Sequence, residues 1–277
     1  MALMNLAFRS EYLRGGQTIS VILPDRPEST APADFFTSGR RYRVLWLLHG
    51  TFGDHTDWVR HTNIERYAAA HDLVVVMPAA LNSNYSDWPS FSLGFDAYRY
   101  LTHELMPMVQ GWLPVSAARS DNFVAGLSMG GRGAIKYAVN HPELFGAAAI
   151  LSAAPVEFDA MRPEDLADPD RPFGARLLGM AENAGGWSRF IDSEENVWRL
   201  IDAQAGQGVL PRLLFACGED DQLIHEDYVA FRAHAERSGL EAEFWEAPGG
   251  HDWPFWDAAI HHAIDFFMAT PGDRDGA

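Results

Sequence analysis

Short unbroken apolar runs alternate with amphipathic stretches along most of the chain. Residues 3–8 and 17–23 read as two strands separated by "RGG", which predicts an antiparallel start. Residues 25–41 hold Pro, Ser, Thr and Gly and predict a surface loop. From there the runs are continuous: "YRVLWLLHG" at 42–50, "LVVVMP" at 73–78, "NFVAG" at 122–126, "GAAAILSA" at 146–153 and "RLLFACG" at 212–218. Unbroken apolar runs of this length suit strands buried on both faces of a parallel sheet. "EAEFWEA" at 241–247 completes the strands. Between them, residues 62–71, 96–112, 129–140, 225–238 and 254–269 follow helical spacing. Strand–helix alternation of this kind predicts an α/β fold, with a mainly parallel central sheet, antiparallel N-terminal strands and helices on both faces.

One segment departs from the pattern. Residues 156–210 are rich in Pro, Asp and Gly, with weak helical stretches near 174–182 and 193–203. A connection this long between two sheet strands is an insertion rather than a plain crossover. Two readings stand: a lid over the strand ends, or a surface excursion far from any chemistry. The chain as a whole, 1–277, reads as a single domain carrying that insertion.

Composition narrows the function classes. With 47% hydrophobic and 12% aromatic residues, the chain has the material for a sizeable core. The formal charge of −17 makes nucleic acid and anionic membranes poor partners. Lys136 is the only lysine; every other Lys/Arg cation is Arg. One cysteine, Cys217, excludes an intrachain disulfide. The start "MALMNLAFRSEYL" lacks the basic, apolar and small-residue succession of a secretory leader, and no run of about 20 apolar residues occurs. These features predict a soluble, cytoplasmic protein.

The strongest chemical signal is "GLSMG" at 126–130, which fits G-x-S-x-G. It follows an apolar strand and opens a helix, as a nucleophile elbow requires. Ser128 would then project at the C-terminal edge of the sheet, where ligands bind in open α/β folds. A serine hydroxyl needs a neighbouring base, and the base an orienting acid. Glu219, Asp220 and Asp221 follow the strand at 212–218 in "CGEDDQL". Asp221 is preferred and Asp220 is its nearest rival; the alternative role for such an acid is to start the helix at 225–238. His251, in "PGGHDWPFW", lies in a glycine-flanked loop between the last strand and the last helix. His225, His261 and His262 fall on helices and read as surface or packing residues. The backbone N–H of Met129 and that of Thr51, in "HGTFGDHTDW", are the expected donors to an oxyanion, with Phe52 as the alternative to Thr51. His49 reads as a brace for that loop. Phe52, Trp58, Trp88 and Trp253 are candidates for an acyl pocket, as are Tyr85, Phe91 and Trp256 near them; loop packing is the competing role.

Taken together, "LLHGTFGDHTDW", "GLSMGGRGA", "CGEDD" and "GGHDWPFW" resemble the α/β-hydrolase superfamily. More narrowly they resemble the esterase D-type bacterial acyl esterases, in the branch of tributyrin, feruloyl and acetyl esterases. That group also holds S-formylglutathione hydrolases and mycolyltransferases. The opening "FRSEYLRGGQTISVILP" and "GFDAYRYLTHELMP" strengthen the likeness, which spans about residues 3–268. The resemblance implies Ser128 as nucleophile, Asp221 as acid, His251 as general base and Met129 and Thr51 as oxyanion hole. It implies no cofactor and no metal, a small-molecule ester substrate, and a dimer or tetramer. The segment 156–210 is longer and more acidic than the group leads one to expect. The expected activity is that of a serine carboxylesterase on small or short-chain acyl esters. An S-formylglutathione thioesterase or an acyltransferase would use the same triad, and a non-enzymatic hydrolase-like binding protein is the reading from another class.

Overall fold

The computed structural model describes residues 1–168 and 173–269. Residues 169–172, inside the 156–210 segment, and 270–277 lie outside the described residues. The strands are β1 (Ala2–Ser10), β2 (Gly15–Leu23), β3 (Val44–Leu48), β4 (Val74–Met77), β5 (Asp87–Trp88), β6 (Phe95–Asp96), β7 (Asn122–Leu127), β8 (Ala147–Leu151), β9 (Arg212–Gly218) and β10 (Ala242–Ala247). Eight of them form one sheet in the order β1-β2-β4-β3-β7-β8-β9-β10. β1 and β2 pair antiparallel, as do β2 and β4, and β4, β3, β7, β8, β9 and β10 run parallel. The antiparallel start and mainly parallel centre expected from the apolar runs are both present. β3 and β7 are buried along their whole length, which is why they read as unbroken apolar runs. β1 is an edge strand and alternates between exposed and half-buried positions.

The helices are α1 (Pro32–Phe36), α2 (Asp57–His61), α3 (Ile64–Ala69), α4 (Ala97–Arg99), α5 (Met106–Trp112), α6 (Met129–Asn140), α7 (Pro163–Leu166), α8 (Gly174–Asn183), α9 (Trp187–Ile191), α10 (Val197–Gln204), α11 (His225–Ser238) and α12 (Trp253–Met268). The sheet has a core on each face. Val44, Trp46 and Leu48 of β3 pack on the side of α6 and α11, with Tyr137 and Phe231. Leu45 and Leu47 pack on the other side with Ile64 of α3 and Ile260 of α12. Strand alternation thus divides one apolar run between two cores. None of the described helices is long and apolar enough to cross a membrane.

Three departures from the sequence pattern have physical causes. The stretch expected as one helix at 96–112 is interrupted by a π-helical turn, Tyr100–Leu105. Pro107 supplies no N–H for the carbonyl of His103, so the ladder slips there. The loop at 25–41 contains the short helix α1, opened by Pro32. The ribbon β5–β6 is too short to leave a periodic trace.

The inserted segment holds α7 to α10 and an apolar cluster of its own, formed by Phe158, Leu166, Leu177, Met180, Ala181 and Phe190. The sole lysine ties it down. Lys136 is buried on α6 and donates to Glu195 Oε1 at 2.8 Å and to Ser86 Oγ at 2.9 Å. The segment is therefore fixed to the helix that follows Ser128.

Candidate active site

Ser128 joins β7 to α6 with φ 52° and ψ −113°, a strained backbone for a residue with a Cβ. Its N–H still donates to Leu151 O at 2.8 Å, so the sheet ladder holds the turn from one side. The glycines allow the helix to start this close to the sheet. A Cβ on Gly126 would lie 2.4 Å from the carbonyl carbon of Gly130, and one on Gly130 would lie 2.5 Å from Leu48 O. Both neighbours are backbone and cannot swing away. Gly130→Ala is therefore expected to destabilise the fold by about 2 kcal/mol or more, seen as a lower urea midpoint at unchanged m. An unchanged midpoint would mean that the helix start has slack which this packing denies.

Asp221 follows β9 and is fully buried. One carboxylate oxygen, Oδ1, accepts the N–H groups of Leu223 and Ile224 at 3.1 and 3.2 Å. The other, Oδ2, lies 2.8 Å from His251 Nδ1. Asp221 is thus the partner of His251, but it is not the cap or first-turn acid of α11, whose N-cap is Ile224; its second oxygen instead braces the turn before that helix. Burial pushes the carboxyl up, but the contact with His251, the N–H of Leu223 and the Ser152 hydroxyl together hold it below its ordinary value. In the tautomer whose Nδ1–H donates to this anion, Nε2 is the nitrogen with a free lone pair. Trp256 meets the His251 ring edge-on at a centroid distance of 5.1 Å and donates from its indole to Ser152 Oγ at 3.0 Å. Trp256 and Ser152 thereby hold the pair from behind. Ser152 leaves no signal in the sequence. Asp220 is exposed, and among the described residues only its backbone is engaged, with its N–H donated to Gly249 O at 2.9 Å.

Met129 is the first residue of α6, where backbone N–H groups lack helical acceptors. Thr51 follows β3, the neighbour of β7. Neither N–H has an acceptor among the described residues. The Phe52 N–H, the alternative to Thr51, is already donated to Asn82 Oδ1 at 2.7 Å. His49 is buried and braces the loop. Its Nδ1 lies 2.7 Å from Gly50 O, and its Nε2 accepts the Ala80 N–H at 2.9 Å. Burial pushes this imidazole down, which keeps it neutral, as a side chain that both donates and accepts must be.

Ser128, His251, Thr51 and Phe52 line one cavity of about 800 Å³ with Trp253. The Ser128 hydroxyl has no hydrogen-bond partner among the described residues. Phe52 is 90% exposed at the cavity rim, and Trp253 stacks on His61 at 4.6 Å. Two expected pocket residues are placed elsewhere. Trp58 is buried in the core beneath, donates its indole N–H to Leu48 O at 3.1 Å and meets Trp253 edge-on. Trp88 sits on β5 and donates to Ser83 O at 2.7 Å, packing against both the main core and the inserted cluster. An indole needs a home for its N–H, and both found a backbone carbonyl away from the cavity. Phe173 and Arg176, from the inserted segment, line the cavity without having been legible in the sequence. Cys217 is no rival nucleophile: it is buried, and burial pushes its thiol up to about 12. Among the described residues, no cluster of His, Cys, Asp and Glu could hold a metal ion.

The Esterase family model, described as "Putative esterase", matches residues 10–267. The chain is 28% identical to an acetyl esterase of Caldicellulosiruptor saccharolyticus over 96% of its own length and 98% of the relative's. Among solved structures, it is similar to FphF, a fluorophosphonate-binding serine hydrolase of Staphylococcus aureus determined with substrate bound. That likeness has a TM-score of 0.79 and 31% identity, over 97% of this chain and 99% of the other. An S-formylglutathione hydrolase (FrmB) of Staphylococcus aureus gives a TM-score of 0.78 and 33% identity, again over 97% and 99%.

Proposed function

This chain belongs to the Esterase family and has an α/β-hydrolase fold, and from that premise we propose that it is a serine carboxylesterase acting on small or short-chain acyl esters through an acyl-enzyme on Ser128. The observation that carries the reading is the Asp221–His251 pair at 2.8 Å, with His251 lining the same cavity as a serine held on a strained elbow.

The steps follow from the positions. Ser128 Oγ attacks the ester carbonyl and His251 Nε2 takes its proton. Asp221 fixes the ring and stabilises the imidazolium that forms. The carbonyl oxygen becomes an anion, accepted by the N–H groups of Met129 and Thr51 and favoured by the N-terminus of α6. The tetrahedral centre collapses, and His251 returns its proton to the departing alkoxide. Water then repeats the sequence on the acyl-enzyme and releases the acid.

Likeness to an S-formylglutathione hydrolase over nearly the full length of both chains favours a second reading, in which the leaving group is a thiolate. Purified protein offered p-nitrophenyl acetate and an acetyl thioester of glutathione separates the two. We expect the oxygen ester to be turned over with the higher kcat/KM. A thioester preference of about a hundredfold would replace the first reading with the second, and turnover of neither would contradict both.

A further inference from the structure

Arg176 is half-buried on α8, and its guanidinium lines the cavity that holds Ser128 and His251. One of its N–H groups donates to Thr51 Oγ1 at 3.0 Å. No carboxylate among the described residues lies within ion-pair distance of it. Arg132, four residues after Ser128 on α6, is likewise without a carboxylate at that distance. The two guanidinium carbons stand 5.6 and 5.7 Å from the centre of the Phe173 ring. Burial pushes both guanidinium pKa values down; for Arg132 the more distant carboxylates of Asp227 and Glu195 act against that shift and the charge of Arg176 acts with it.

This is an unusual place to leave two cations without an ion-pair partner among the described residues. The chain has 38 acidic residues against 21 Lys and Arg, so carboxylates are not scarce. Arg99 has Asp87 and Asp96, and Arg199 has Asp159 and Asp192. Desolvating a guanidinium without a counter-ion is unfavourable, and such groups concentrate where a ligand completes them. Arg176 has five donors, of which Thr51 takes one. The acids of the cavity wall do not answer it: Asp252 caps α12 by accepting the Phe255 N–H, and Asp57 lies against Gly53.

We propose that Arg176 binds a carboxylate on the substrate, with Arg132 behind Phe173 adding to the positive field. The preferred esters would then carry a free carboxylate in either the acyl or the alcohol part. The proposal rests on the esterase reading. A planar fork of N–H donors matches a carboxylate in two parallel hydrogen bonds, which is a reason for arginine rather than lysine. The overall charge of −17 repels anions at long range, but this is screened beyond about 8 Å at physiological salt, so selection falls to contact inside the cavity.

Two matched pairs of esters test it. On the acyl side, p-nitrophenyl hemiglutarate is compared with p-nitrophenyl pentanoate. On the alcohol side, 4-acetoxybenzoate is compared with 4-acetoxybenzamide. In one pair, Arg176→Gln should lower the anionic-to-neutral ratio of kcat/KM by about tenfold to a hundredfold, mainly through KM. Arg176→Lys should retain part of the preference, and the responding pair identifies the part of the substrate that bears the carboxylate. An unchanged ratio in both pairs would overturn the proposal. An equal fall for all four esters would also overturn it, since Arg176 would then act only by holding Thr51. If the wild type hydrolyses none of the four and Ser128→Ala changes nothing, the esterase reading itself has failed. Thermal melts of the variants establish that each is folded.

Discussion

Ser128→Ala is expected to lower kcat on p-nitrophenyl acetate by about 10⁶-fold. On the proposed mechanism, loss of the nucleophile removes the acyl-enzyme path altogether, while the N–H donors and substrate binding leave about 10³–10⁴-fold over water. Alanine retains the Cβ at φ 52°, so the elbow carries the same strain, and the Leu151 carbonyl keeps its backbone donor. The melting temperature should therefore move by no more than about 2 °C, since no buried contact or backbone hydrogen bond is lost. Turnover equal to wild type in a folded Ser128→Ala protein would exclude Ser128 as the nucleophile.

Asp221→Asn should cost about 10⁴-fold in kcat with a small change in KM. The asparagine oxygen can still accept the Leu223 and Ile224 N–H groups, so the turn before α11 survives. What changes is the face towards His251. An amide N–H₂ now points at Nδ1 and favours the tautomer in which Nε2 carries the proton and cannot act as base. Asp220→Asn, one position away and exposed, should alter kcat by less than about twofold, in keeping with a surface substitution. The paired variants measure register as well as role. If Asp220→Asn proves the damaging one, the contact at 2.8 Å to His251 does not describe the working enzyme.

Legibility in the sequence tracks burial. β3, β7 and β8 are enclosed on both faces, so their apolar runs are unbroken, and α6 begins within the glycine-rich stretch that follows β7. Chain order then brought Ser128, Asp221 and His251 to the same edge, because each follows the C-terminal end of a strand of the parallel part of the sheet. What was not legible depends on contacts between distant segments. Trp58 and Trp88 lie in or beside edge loops, but the indole direction was decided by the carbonyls of Leu48 and Ser83. Arg176 is one arginine among many until α8 is packed with α7 and α9 in the small apolar cluster of the inserted segment, which Lys136 and Glu195 tie to α6. Ser152 is invisible for the same reason: its hydroxyl matters only because Trp256 and Asp221 converge on it.

The most direct test of Ser128 as the nucleophile is covalent labelling with a fluorophosphonate, read by intact-mass and peptide mass spectrometry alongside loss of p-nitrophenyl acetate turnover. The predicted result is one label per chain, on the peptide carrying Ser128, with activity lost in proportion to labelling and no label on Ser128→Ala. Label on another serine, or full activity in protein whose Ser128 is fully modified, would contradict it.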